Sequence, residues 1–211
     1  MDYGTEVKLV VATMAGENLI EYAGRLCWDS TYKLGEIPDR IQKWVEVGHE
    51  SVIEHASATF YIKASRVLTH ELVRHRIASY SQRSQRYVKE SEPKYIMPPE
   101  LEHVHLQDPR YRDAGIQASG TVWFDVVMDM AWEAYRTLLE AGVKPEIARY
   151  VLPNACETQI VMTMNLRELR HFIKLRTSKR ALPEMREVAG KIRDMCIEIA
   201  PQVFGDLKVE S

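Results

Sequence analysis

Two segments of this 211-residue chain alternate at a period of two and then change abruptly to helical spacing. Ser57–Ile62 (SATFYI) is rich in aromatic and branched side chains, which predicts a strand. Arg66–Arg74 follows with Val67, Leu68, Leu72 and Val73 at helical intervals. Thr158–Met164 (TQIVMTM) alternates in the same way, and Asn165 then stands where a helix N-cap is expected. Strands interleaved with helices, without the regular spacing of βαβ units, predict an α+β fold: a central antiparallel or mixed sheet flanked by long helices.

The remaining segments extend that pattern. Lys8–Thr13 reads as a strand, and Glu17–Cys27 and Ile37–Gly48 as helices, the latter with Pro38 in its first turn. Ile116–Gly142 reads as a long amphipathic helix stopped by Gly142, Pro145–Leu152 as a short helix carrying Arg149, and Pro183–Phe204 as a final helix. No Pro/Gly/Ser-rich linker and no repeat divides the chain, so residues 1–211 are expected to form one domain.

Charge is unevenly distributed. The chain has 28 basic and 30 acidic residues, so it has no general electrostatic reason to coat nucleic acid or an anionic membrane. Between Lys63 and Lys89, however, seven Lys or Arg face one acid, and between Met164 and Arg180 six face one. That distribution predicts a focused anion site on an acidic body. Three widely spaced cysteines, Cys27, Cys156 and Cys196, argue against a disulfide framework. With no basic leader and no segment long enough to span a bilayer, a soluble cytoplasmic protein is expected.

The densest segment is Arg74–Tyr87, RHRIASYSQRSQRY, with four arginines, a histidine, three serines and two glutamines in fourteen residues. Arg, Ser and Gln donors suit phosphate groups and nucleobase edges. The preceding helix is expected to end near Arg74, His75 and Arg76, leaving Ser79–Ser84 in a loop. The ten glycines never occur as G-x-G, and no G-K-S/T loop is present, so a bound nucleotide must be held by side chains. HExxH and CxxC spacings are absent, and a His49-x5-His55 interval has no helical metal geometry; no metal is expected.

On the 165–176 helix, Asn165, Leu169, Phe172 and Arg176 share one stripe, while Arg167, Arg170, His171 and Lys174 occupy neighbouring faces. A guanidinium on an apolar face must meet an internal acid or an anionic ligand, unless it snorkels from the helix end.

Arg74-His75-Arg76, seven residues, then Ser84 resembles the RHR-x7-S signature of the flavin-dependent thymidylate synthases. The resemblance extends to Gly48-His49-Glu50-Ser51, Glu54-His55, Arg149 in ARYVLP, and NLRELRHFIKLR from Asn165 to Arg176. It implies reductive methylation of dUMP to dTMP, with methylenetetrahydrofolate as carbon donor, FAD as bound cofactor and NADPH as reductant. It also implies a homotetramer with shared active sites. By motif match, Ser51, Arg74, His75, Arg76, Ile77, Gln82, Asn165, Leu166, Arg167 and His171 look like FAD contacts. Glu71, Leu72, Val73, Arg74, Gln82, Arg83, Ser84, Gln85, Arg86, Arg149 and Arg176 look like dUMP contacts, with Arg149 and the 165–176 helix converging on the loop.

Within that resemblance Arg176 is the expected catalytic group. A fixed guanidinium near the uracil stabilises negative charge on N3 and the adjoining carbonyl, which makes C5 nucleophilic without a covalent enzyme intermediate. Ser84 has no Asp or His at a diagnostic offset and reads better as a phosphate or ring contact. Cys156 reads as a small core residue rather than a nucleophile. Glu71 stands where the family often has Gln, Cys27 where a small hydroxyl residue is common, and Leu182-Pro183 where many members have Gln-Trp. A non-catalytic nucleotide or RNA binder using the same basic, aromatic loop is the competing class.

Overall fold

The computed structural model describes residues 2–90, 92, 94–108, 110 and 115–207. In chain order its elements are β1 (Glu6–Ala12), α1 (Gly16–Leu26), α2 (Arg40–Glu46), β2 (Ser57–Ser65), α3 (Arg66–Leu72) and β3 (Ser79–Gln82). Then come β4 (His105–Gln107), β5 (Gln117–Ser119), α4 (Gly120–Glu140), α5 (Pro145–Ala148), β6 (Glu157–Asn165), α6 (Leu166–Arg176), α7 (Pro183–Ile199) and α8 (Pro201–Phe204). The strand order in the four-stranded sheet is β1-β2-β6-β3, and β4 pairs antiparallel with β5, Leu106 opposite Ala118. The result is the mixed helix and sheet architecture that the two strand-to-helix segments predict.

The residues cluster into two compact units. One contains 2–5, Lys63–His70 and Gln82–Gln159; the other contains Glu6–Ile62, Glu71–Ser81 and 160–207. In the second unit the alternation of the strands is realised as burial: Ala58, Phe60 and Ile62 of β2 and Ile160, Met162 and Met164 of β6 are at most 1% exposed. On the intervening positions the Thr59 and Thr163 hydroxyls meet at 2.9 Å, a polar cross-strand pair. Phe172, Phe204, Ile20, Ile41 and Ile53 complete this core. Each such side chain contributes roughly 1.5–3 kcal/mol by leaving water.

The first unit has its own centre in Trp132, Tyr135 and Ala148, packed by Leu138, Leu139, Val143 and Leu152. Trp132, Tyr135, Leu138 and Leu139 recur at helical spacing on α4, and Gly142, at φ 83°, reverses the chain after it. Pro145 then starts α5, where its missing N–H costs nothing.

Several boundaries differ from expectation: the helix expected over 145–152 ends at Ala148 and continues over Arg149–Val151 as a 3-10 turn, and the one expected to reach Arg74 ends at Leu72. The helix expected from Ile37 begins at Arg40, because Asp39 sits at φ 56° and Pro38 precedes it. Ser79–Gln82, expected as loop, is the edge strand β3. The helix expected from Ile116 begins at Gly120, its first residues being drawn into the β4–β5 hairpin. The expected 183–204 helix breaks at Ala200, φ −150° and ψ 72°, just before Pro201.

Candidate active site

In the second unit, α6 begins on a cap that its sequence supplies. Asn165 Oδ1 accepts from Glu168 N at 2.8 Å, which satisfies one orphan N–H and leaves the Asn165 amide group as a donor. Along the helix this start sets Leu169, Phe172 and Ile173 into the core and carries Arg176 to the final turn. Arg176 is neither snorkelling nor unpaired: its side chain is 17% exposed and is held on two sides. Its Nε donates to His75 Nε2 at 3.0 Å, and Nη1 donates to a Glu71 carboxylate oxygen at 3.0 Å.

His75 is positioned by the turn after α3. Its N–H donates to Leu72 O at 3.1 Å, and the Tyr80 hydroxyl shares its proton between Leu72 O (2.8 Å) and His75 O (2.9 Å). Tyr80 therefore packs the turn; burial pushes its hydroxyl up to about 12, so it stays a donor. His75 Nδ1 lies 3.5 Å from Glu168 Oε1, and the ring packs edge-on to Phe172 at 5.1 Å between centroids. Burial foremost, and then the Arg176 charge, hold the imidazole pKa below its ordinary value against the opposing pull of Glu168. The neutral tautomer that fits has N–H on Nδ1 toward Glu168 and a lone pair on Nε2 toward Arg176. Ligand atoms of His75, Glu168 and His171 lie within 4.8 Å of one another, but the guanidinium 3.0 Å from His75 Nε2 opposes a cation there.

A cavity of about 490 Å³ in the same unit is lined by Ile77, Asn165, Arg167, His171 and Lys174, with Glu50, Glu54 and Glu168. Arg167 is exposed and is held by both Glu50 and Glu54. Arg170 also lines this cavity and, like Arg25, is only 2% exposed: it bonds Asp206 bidentately at 2.6 and 2.8 Å and donates to Val203 O, while its Nε has no hydrogen-bond partner among the described residues. Among the expected flavin contacts, the structure thus gathers Ile77, Asn165, Arg167 and His171. Ser51 lines a different cavity, and Arg74 and Arg76 are exposed in the turn after α3. Leu166 is buried, and its N–H donates to Ala56 O.

The first unit holds the other group of expected residues. Gln82 gives its amide to the hydroxyls of Thr69 (3.1 Å) and Thr158 (3.2 Å), while Arg83 N donates to Gln159 O at 2.8 Å, anchoring the loop that follows β3. Ser84 Oγ accepts from Arg86 N at 3.2 Å, making a tight turn of loop N–H groups. Arg83 pairs with Glu90 at 3.0 Å and Arg86 with Glu146 at 3.1 Å. Gln85 is 6% exposed, and its Nε2 is buried without a hydrogen-bond partner among the described residues. Arg149 donates from Nε to Glu146 O at 3.3 Å. Arg66, half-buried, has its pKa lowered by burial and by the like charge of Arg149. Arg66 is not among the residues that the motifs single out.

Of the other expected dUMP contacts, Leu72 is fully buried with its carbonyl committed, and Val73 is 38% exposed. Cys156 is buried, and burial pushes its thiol up to about 11, so little thiolate is present at neutral pH. The residues the sequence reading missed, Glu168 and Arg66, carried weak signals. Glu168 stands three positions from both Asn165 and His171, and Arg66 is the second base of the Lys63–Lys89 segment of one acid and seven bases.

A sequence profile of the family described as "Thymidylate synthase complementing protein" matches residues 8–202. A flavin-dependent thymidylate synthase of Mycobacterium marinum is 39% identical over 205 residues, covering 92% of this chain and 80% of that protein. One from Geobacter sulfurreducens is 38% identical over 212 residues, covering 95% and 86%. Among solved structures, the UMP/dUMP methylase PolB from Streptomyces cacaoi, bound with 5-Br dUMP, superposes with a TM-score of 0.79 at 25% identity, covering 95% of this chain and 93% of its own. The chain belongs to the thymidylate synthase complementing protein family, that of the flavin-dependent thymidylate synthases.

Proposed function

We propose that this chain methylates dUMP reductively to dTMP in the cytoplasm, with methylenetetrahydrofolate as carbon donor and FAD relaying hydride from NADPH. We take residues 1–211 as one catalytic domain that works as a homotetramer. The observation that carries the reading is Arg176, a guanidinium fixed in orientation by His75 Nε2 and the Glu71 carboxylate.

The cavity beside α6 fits the flavin by its donor set. The Asn165 amide and His171 suit ring edges, Arg167 and Lys174 suit pyrophosphate oxygens, and Ile77, 65% exposed, offers an apolar face. Ser51, Arg74, His75, Arg76, Gln82 and Leu166 remain proposed contacts on the motif match. The flavin, when bound, supplies two-electron chemistry that no side chain here can supply.

The chain's own residues do the positioning. Loop N–H groups around Ser84, with Arg83, Gln85, Arg86 and Arg149, hold the substrate phosphate; Gln85 Nε2 is a buried donor in want of an acceptor. Glu71, an acceptor as a carboxylate, meets the uracil N3–H and takes its proton as charge develops on the ring. Val73, Arg74 and Gln82 are proposed nucleotide contacts, and Leu72, whose side chain is buried, stands with them on the motif match alone. The Arg176 guanidinium then stabilises charge on N3 and the carbonyl beside it, raising nucleophilicity at C5. Its orientation is set in advance by neutral His75, which in turn leans on Glu168, so little reorganisation accompanies charge development.

The deciding experiment is a purified protein assayed for dTMP from dUMP, methylenetetrahydrofolate and NADPH. A yellow protein that releases FAD on denaturation and is bleached by NADPH supports the reading. A colourless protein that cannot be reconstituted, makes no dTMP and binds oligonucleotides overturns it.

A further inference from the structure

The chain's three cysteines stand in different surroundings. Cys156 and Cys196 are buried, and burial pushes their thiols up to about 11 and about 12. Cys27, directly after α1, is exposed, and its Sγ donates to Ala23 O at 3.5 Å. A reagent in solvent therefore meets one thiol of the three.

Cys27 lines a cavity of about 670 Å³ in the second unit, beside α1 and α2. Arg25, Lys33, Arg40 and Lys43 line it as well, and no Asp or Glu is among its described lining residues. An independent sign of a ligand comes from Arg25. That residue is 2% exposed and spends its Nε on Glu21 at 2.6 Å, while its buried Nη2 has no hydrogen-bond partner among the described residues. The Nε of Arg40 is buried and unmet in the same way. Buried N–H groups are almost always satisfied, so both point to an acceptor that arrives from outside. Ser51 belongs to the same lining, and the motif match gives it to FAD, so flavin phosphates are one such acceptor. The open thiol is then a reactive group at the side of a basin that attracts anions.

We propose that Cys27 is a site of reversible thiolation by an anionic low-molecular-weight disulfide of the glutathione class, and that the adduct closes the cavity to the flavin. The Cys27 thiol gives up to solvent the proton that it directs at Ala23 O, its sulfur forms a bond to one disulfide sulfur, and the original S–S bond breaks. The other half leaves as a thiolate and takes up a proton. Cys27 is thereby oxidised and the released half reduced, two electrons passing between them. Arg25 Nη2, Arg40 Nε and the two lysines supply the cations on which the reagent's carboxylates dock, so an anionic disulfide is favoured over a neutral one. Oxidising conditions then keep the flavin out through a group that takes no part in the chemistry. The proposal rests on the proposed function in naming FAD as what the adduct displaces.

The full-length protein, flavin-stripped and flavin-loaded, is treated with glutathione disulfide, with neutral 2-hydroxyethyl disulfide and with cationic cystamine. Each rate is divided by that of free cysteine, and peptide mapping locates the adduct. On the flavin-stripped protein the anionic reagent should react at Cys27 about tenfold faster than the neutral one on this scale, a preference that fades at high salt. Excess FAD slows the reaction about tenfold or more, and the thiolated protein takes up no FAD until dithiothreitol frees it. Arg40→Gln lowers the anionic rate about threefold, the order of one exposed charge pair. Cys27→Ser, which puts a small hydroxyl where the family commonly has one, forms no adduct and keeps wild-type flavin content and dTMP formation. Absence of an adduct at Cys27, equal scaled rates for the three reagents, or an adduct that leaves FAD uptake unchanged overturns the proposal. A protein that shows this charge preference and this competition with FAD yet makes no dTMP leaves the thiolation site standing and removes the proposed function instead; one that never takes up FAD overturns both.

Discussion

Arg176 and Arg86 show two ways of keeping a cation. Arg176 is 17% exposed and enclosed by an acid and a neutral imidazole, so its direction is set before any ligand arrives. Arg86 is 55% exposed, paired at the surface with Glu146, on a turn whose neighbour Gln85 buries an amide without a partner. The first arrangement spends its hydrogen bonds on orientation, which suits charge that develops during a reaction. The second leaves donors open, because a surface pair is worth only about 0–1 kcal/mol and yields readily to a phosphate. The contrast predicts that damage near Arg176 appears in kcat and damage near the loop in KM.

The sharpest test of the contrast is Arg176→Lys. An ammonium cannot reach both His75 and Glu71 as a fork does, and dTMP formation should fall on the order of 10²–10³-fold with folding retained. Wild-type turnover with unchanged dUMP affinity would remove Arg176 from its role. Arg149→Ala should act on the other side, raising the KM for dUMP by about 10–100-fold with a smaller change in kcat, as expected for losing one hydrogen bond to a charged group. A pure kcat loss would collapse the distinction between the two regions.

His75 offers a pH-dependent break. Its pKa lies below the ordinary 6.5 through burial first and the Arg176 charge second. The unfolded chain therefore takes up this proton before the folded protein does, so stability is complete above pH 6.5 and is lost as pH falls below it. Melting curves at about pH 7.5 and 5.5 should show a steeper drop for wild type than for His75→Gln, which cannot titrate. Equal slopes would mean that the buried imidazole does not resist protonation. Asn165→Ala is a smaller effect, removing the α6 cap at a cost of about 1 kcal/mol and read as a lower melting temperature. Smallest of all is Cys156→Ser, which should leave dTMP formation near the wild-type rate; abolished chemistry in the folded variant would favour a covalent route.

Local chemistry was readable in advance. β2, β6 and the cap at Asn165 follow from alternation and one side-chain oxygen, which act over a few residues. The RHR-x7-S segment is equally plain in the sequence. The pieces that were misread depended on partners elsewhere: Ser79–Gln82 becomes a strand by pairing into a sheet, and Ile116 and its neighbours pair with a short strand that carries no alternation of its own. Arg170, placed on a neighbouring face in the helical projection, is buried because Asp206 and Val203 O are there to receive it.

By itself the sequence determined which residues are cations, which segments alternate, and to which family the motifs belong. Only the tertiary structure decided that Arg176 is held by His75 and Glu71, since 101 and 105 residues separate them along the chain. It also decided that α6 buries Arg170 and leaves Arg167 half exposed, although the two stand three positions apart. Residue type sets what a guanidinium needs, an acceptor in place of water; packing alone sets whether that acceptor is an internal acid or a ligand still to come.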